Sequence, residues 1–112
     1  MIEITDQFMQ QMLLKTKKYF VVVLKAGPKI NEPGAEKIIW EHGRRNFALR
    51  EEKILSIVCP VGNDINIKGF GIFNANLEEV RKIMDGDPGV KAGIFLYEIY
   101  ECRSFPGDEL PE

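Results

Sequence analysis

The sequence predicts an α+β domain in which strands and helices follow the order β-α-β-β-α-β behind one extra N-terminal helix. Three observations predict it. Residues 19–24, Tyr-Phe-Val-Val-Val-Leu, are apolar at every position, as in a strand buried on both faces. Residues 35–50 and 77–86 place apolar side chains at helical spacing. Residues 54–60, 65–73 and 94–102 are three further strand-like runs, the first two joined by the turn Val61-Gly62-Asn63-Asp64. With 112 residues the chain makes about one small domain, which closes one core without metal or disulfide staples.

Composition narrows the function classes. Apolar residues at 45% and charged residues at 29% are ordinary globular values, which excludes a disordered or fibrous chain. A formal charge of −2 argues against bulk electrostatic binding to nucleic acid or to an anionic membrane. The longest near-apolar runs, 19–24 and 54–60, fall far short of the ~20 residues a membrane span needs. The start, Met-Ile-Glu-Ile-Thr-Asp-Gln, has neither a basic segment nor an apolar one, so no secretory leader is expected and the protein is expected in the cytoplasm. Cys59 and Cys102 are read as reduced, unpaired thiols used as small apolar residues.

The elements follow in order. Over residues 4–15, Phe8 and Met12, and Met9 and Leu13, stand four apart with glutamines between, an amphipathic helix. Three lysines, Lys15, Lys17 and Lys18, suit its end. This helical arm, residues 1–18, is expected to dock on its own subunit or on a partner rather than wave, because a helix of about twelve residues is marginal alone in water. After the first strand, Gly27-Pro28 and Pro33-Gly34 bound a loop. The next helix puts Ala35, Ile38, Ile39, His42 and Leu49 on one face and Trp40 and Phe47 on a second apolar stripe. In the third strand Gly69 and Gly71 share a side with Ile65, Ile67 and Phe73. They leave that side nearly bare, a gap for a bulge, a neighbouring side chain or a ligand. Asn76-Leu77-Glu78-Glu79 opens the second core helix with a cap, and Gly86 ends it. The tail, 105–112, is acidic and loose.

Four strands and two helices in this order give the ferredoxin-like fold, with strands one and three central and both helices on one face. Phe20, Val22, Leu24, Phe95 and Tyr97 cannot all hide beneath two helices if their alternates already do. An apolar open face is therefore expected, and pairing of two sheets in a homodimer would cover it.

At three places the chain resembles the YCII-related proteins of the dimeric α/β-barrel superfamily. The strand Tyr19-Phe20-Val21-Val22-Val23-Leu24-Lys25 is similar to the family's opening strand. His42 with Pro60 eighteen residues later resembles its helix histidine and following Gly-Pro dipeptide. Asp87-Pro88-Gly89-Val90-Lys91-Ala92-Gly93-Ile94-Phe95 resembles the Asp-Pro-x-Val-x-Ala-Gly segment that leads into its last strand. The match spans residues 19–104. Two departures stand out. The family's Gly-Pro glycine is Cys59 here, and no glycine occurs in Glu51-Glu52-Lys53, where the first core helix ends. The resemblance implies ferredoxin-like subunits paired as a dimeric α/β barrel, with a site around the helix histidine and an acidic partner. Some relatives eliminate hydrogen chloride from chlorinated aromatic breakdown products.

His42, the sole histidine, either packs as a hydrogen-bonded core residue or moves protons near neutral pH. Asp64, four residues after Pro60, either orients it or caps its own turn. Arg45, one helical turn beyond His42, is the candidate to bind a substrate carboxylate, or else a solvated surface residue. Asp87 is a turn cap with a pocket role open, and Tyr97 is a candidate pocket wall. No nucleophile elbow, phosphate loop, dinucleotide fingerprint or metal motif occurs, and no cofactor is expected. Two functional readings follow. One is a cofactor-free acid/base enzyme of lyase or isomerase type, with His42 and Asp64 catalytic and Arg45, Asp87 and Tyr97 on the substrate. The other is a non-catalytic small-ligand-binding or accessory module. A third use of the surface, partner binding through the Trp40–Phe47 stripe, stands beside them.

Overall fold

The computed structural model describes residues 1–112. Its elements run α1 (Asp6–Leu14), β1 (Lys17–Ala26), α2 (Ala35–Glu51), β2 (Leu55–Pro60), β3 (Ile67–Phe73), α3 (Leu77–Asp85), α4 (Pro88–Lys91) and β4 (Phe95–Ser104). The strands form one antiparallel sheet in the order β2-β3-β1-β4, the ferredoxin-like arrangement. No helix is long and apolar enough to cross a membrane. Strands β2 and β4 lie at opposite edges, and Cys59 and Cys102 on them are both unpaired.

Period-two alternation decides what each face carries. On β1, Phe20, Val22 and Leu24 are buried against the helices, while Tyr19, Val21 and Val23 are only half-buried. Cross-strand partners share a face. Phe73, Gly71 and Gly69 therefore join the helix side, and Ile72 and Phe70 the open side. Phe20, Val22, Leu24 and Phe95 belong to the closed core. The face left open holds their alternates, with exposed Leu96 and Tyr100 continuing it on β4. Unbroken apolarity in β1 thus does mark two apolar faces, but only one of them is covered within the chain.

Local chemistry explains the element ends. The Asn76 side chain accepts from the Glu79 N–H at 2.8 Å and donates to its carboxylate at 2.6 Å, closing the box that starts α3. The end of α2 shows how the chain manages without a glycine. Lys53 takes a left-handed φ of 62°, its N–H reaches Arg50 O at 2.9 Å, and the Ile54 N–H reaches Leu49 O at 3.0 Å. This is a Schellman closure with lysine at the position that favours glycine.

Arm α1 is not docked within its own chain. Thr5 caps it, yet none of its residues is buried, and it does not lie across the α2 stripe of its own chain. The cause is its tether. A two-residue connection, Lys15-Thr16, joins it to β1, and Arg103 donates from Nε to Thr16 Oγ1 and from Nη2 to Thr16 O, both at 3.1 Å. The chain spans 56 Å along its long axis, and Trp40 and Phe47 remain 71% and 61% exposed.

Lysine at φ 62° carries backbone strain of about 1–2 kcal/mol that glycine would not. Part of that is offset by the greater freedom of glycine in the unfolded chain. Lys53→Gly is expected to stabilise the protein by up to about 1 kcal/mol. Urea titration would show it as a higher midpoint with unchanged slope.

Candidate active site

The site is built at the corner where α2, the α3–α4 junction and the sheet meet. His42 is on the inward face of α2 and is 9% exposed. Its Nδ1–H donates to Asp87 Oδ1 at 2.8 Å. Its ring packs on Phe95 of β4 at a centroid distance of 4.8 Å, tilted by 51°.

Asp87 is 1% exposed. Pro88 at the first helical position fixes the turn that follows, and Asp87 Oδ2 accepts from the N–H groups of Gly89 at 2.9 Å and Val90 at 3.2 Å. One oxygen therefore caps α4 while the other holds His42. Gly89 is required by this packing. A Cβ there would stand 2.5 Å from the Phe95 ring and 3.1 Å from Asp87 Oδ2. Burial pushes the Asp87 carboxyl up. The hydrogen bond and charge of His42, with the N–H groups of Val90 and Gly89, outweigh this and hold it below the ordinary carboxylate range.

A cleft of 290 Å³ opens beside His42 between α2 and the β2–β3 half of the sheet. Its floor is the backbone of Gly69 and Gly71, flanked by Leu24 and Val22 on β1 and by Pro60 and Val58 on β2. The glycine side of the third strand therefore faces the cleft. A bulge between Leu24 and Lys25 sets two residues of β3 against one step of β1, and the extra residue is Lys68. Bulges re-aim side chains, and Lys68 joins the lining of the cleft. The other polar side chains there are His42 and Asn46, and the rest is largely apolar.

The residues singled out from sequence sort as follows. His42 and Asp87 come together. Asp64 does not reach the histidine. Its Oδ1 accepts from Asn66 N at 2.8 Å and Ile67 N at 2.7 Å, and those two bonds hold its carboxyl below the ordinary range. It is the cap of its own turn, and Asp87 has the place expected for it. Arg45 turns from the cleft to the end of α3, donating from Nη1 to Ile83 O at 2.7 Å and standing 3.8 Å from Asp87 Oδ1. Tyr97 lies on the helix side of β4, and its hydroxyl donates to Asp85 Oδ1 at 2.6 Å. Burial first, then that bond, pushes its phenol up. Asn46 and Lys68 were missed from sequence. For Asn46 the signal was present, since it stands four residues after His42 on the same helix. No three histidine, cysteine, aspartate or glutamate side chains converge as a metal site would need.

No protein-family model matches the chain, and no curated protein matches it significantly. The resemblance to YCII-related proteins rests on the residues quoted above. Among solved structures, 5-chloro-2-hydroxyhydroquinone dehydrochlorinase from Burkholderia phenoliruptrix AC1100, in complex with 2,5-dihydroxybenzoquinone, is similar with a TM-score of 0.49. The identity is 22%, covering 73% of this chain and 90% of that one.

Asp87 titrates lower folded than its unfolded value of 3.8, so its contribution to stability is complete above that value and is lost as pH falls through the folded one. Asp87→Asn should therefore cost about 1.5–3 kcal/mol near pH 7, the range for a hydrogen bond to a charged group. The difference between variant and native chain should shrink steadily below pH 4. Urea unfolding at pH 7 and at pH 2.5 checks both statements, and an equal difference at the two pH values would contradict them.

Proposed function

We propose that this protein is an acid/base enzyme, of lyase or isomerase type, that moves a proton on a small organic molecule held in the cleft against His42. The observation that carries the reading is the buried 2.8 Å contact between His42 Nδ1 and Asp87 Oδ1 on a histidine that lines an apolar cleft. Asp87 fixes the ring's orientation and tautomer and stabilises the imidazolium formed when the other nitrogen takes a proton. The Arg45 guanidinium stands 3.8 Å from the same Asp87 oxygen. A nearly dry site strengthens each of these interactions. One proton acceptor in such a cleft suits reactions that take a proton from one atom and return it to another, or expel a leaving group. The cleft's 290 Å³ is at the small end of ligand pockets, which run from about 300 Å³ upward. Lys68 offers a positive charge to an anionic ligand, the part that sequence gave to Arg45.

The reading is tested without knowing the substrate. A panel of small carbonyl compounds with acidic C–H bonds is incubated with the protein in D₂O, and deuterium uptake is followed by NMR. The native chain should accelerate exchange in at least one compound, and His42→Ala should lose that acceleration by about 10²–10⁴-fold while staying folded. A native chain that binds compounds yet exchanges none would be the non-catalytic binding module.

The working unit in this proposal is a cytoplasmic homodimer paired through the helix-free sheet faces. Val21, Val23, Ile72, Phe70 and Leu96 make much of that face apolar around the Lys25–Glu98 ion pair at 2.9 Å, and no layer of the same chain covers it. The arm's Phe8, Met9 and Leu13 and the Trp40–Phe47 stripe are likewise exposed within one chain. The proposed dimer covers both by laying the arm of one copy on the stripe of the other. Sedimentation at micromolar concentration should show a dimer, and deleting residues 1–15 should red-shift Trp40 emission. A monomer, or an unchanged emission spectrum, counts against the respective contact.

A further inference from the structure

Both ring nitrogens of His42 have a partner. Asp87 takes Nδ1, and an ionised carboxylate can only accept, so Nδ1 carries hydrogen. In the neutral ring Nε2 is then an acceptor. The group that meets it is the Asn46 amide, one helical turn on, with Nδ2 at 3.2 Å. Of the two ends of that amide only the NH₂ can donate, so the network itself sets the amide's orientation. Asn46 is half-buried at the cleft wall, where a ligand would approach the same nitrogen.

We infer that Asn46 is the positioning residue of His42, occupying the Nε2 lone pair until a ligand proton displaces it. The inference rests on His42 being the proton acceptor and deepens that reading. An amide suits the task because of its two faces. Its NH₂ meets the neutral ring, and a half-turn about its terminal bond presents Oδ1 to the N–H of the imidazolium. Nε2 is thus never left unpaired next to an apolar wall, a state that would be costly. A carboxylate here would accept only, and would fix the ring in its charged form. A leucine would leave Nε2 bare. The other charged groups around the ring are Asp87 from the α3–α4 junction, Arg45 from α2 and Lys68 from β3. Phe95 of β4 brings only its ring.

The single histidine makes the test direct, because imidazole ¹⁵N signals need no assignment between residues. The chemical probe is diethyl pyrocarbonate, which reacts with an unprotonated ring nitrogen. At pH 8 the native chain should show the Nδ1–H tautomer with a hydrogen-bonded Nε2. Asn46→Leu should keep that tautomer, shift Nε2 toward the free pyridine-type position and raise the carbethoxylation rate about fivefold, the equivalent of one hydrogen bond of about 1 kcal/mol. Asn46→Asp, nearly the same shape, should place an acceptor against Nε2, favour a proton there and slow carbethoxylation at pH 7. An Nε2–H tautomer in the native chain would falsify the inference. So would an Asn46→Leu variant with native ¹⁵N shifts and a native carbethoxylation rate. Neither readout involves turnover. Loss of deuterium exchange with these signatures intact would defeat the proposed reaction and leave the role of Asn46 standing.

Discussion

A carboxylate buried to 1% exposure is the constraint on which this corner of the fold depends. Taking Asp87 out of water is unfavourable by several kcal/mol unless its lone pairs are met. Two backbone N–H groups and one imidazole N–H meet them, and a guanidinium 3.8 Å away adds an opposite charge. Each partner comes from a different piece of chain organisation. The N–H groups require α4 to start directly after Asp87, and Pro88 makes it do so. The imidazole requires the inward face of α2. The guanidinium of Arg45 also takes the Ile83 carbonyl near the end of α3, so α2, α3 and α4 are fastened at one point. Removing the carboxylate would uncap α4 and free the His42 ring, while the bond from Arg45 to Ile83 O would still tie α2 to α3.

The sheet supplies the other half of the site by what it lacks. Gly69 and Gly71 face the helices between Val22 and Leu24 on one side and Val58 and Pro60 on the other. Any side chain at Gly71 would begin with a Cβ 3.0 Å from Leu55 Cδ1 and 3.4 Å from Phe73 Cε2. Leu55 and Phe73 thus fill the room directly above Gly71, and the missing side chains let them pack there at the edge of the cleft. Glycine weakens a strand through its entropy and its missing contacts. The pairing of β3 with both β1 and β2 offsets this, since a central strand has neighbours on each edge.

Most of the architecture was legible because it depends on period and punctuation. Residues 19–24 announced β1, Asn76 with Glu79 announced α3, and Gly69 with Gly71 announced the gap. What sequence could not carry was which carboxylate reaches His42. Asp64 and Asp87 both sit beside turns, and only the packing of α3 and α4 against α2 decides between them. Arg45 illustrates a second limit. Its place on the helix was readable, but its guanidinium goes to Ile83 O, an acceptor that appears only when α3 ends beside α2. The arm shows a third. Its apolar stripe was plain, yet the hold of Arg103 on Thr16 comes from the pairing of β4 with β1, 87 residues away in sequence.

Strand β3 joins the two halves of the functional proposal. It shows glycine to the cleft and Phe70 and Ile72 to the open face. Since side chains alternate strictly, a slip of one residue would bring those large side chains into the cleft and turn the glycines outward. One register thus sets both an empty space and an apolar surface, and the two bulges beside Ser56 and Lys68 pin it. The cleft, His42, Asp87 and Asn46 all belong to one chain. In the proposed dimer, pairing of open faces would add rigidity beneath the floor of the cleft. Phe70 and Ile72, held from outside, would fix the backbone that the glycines leave unsupported from within.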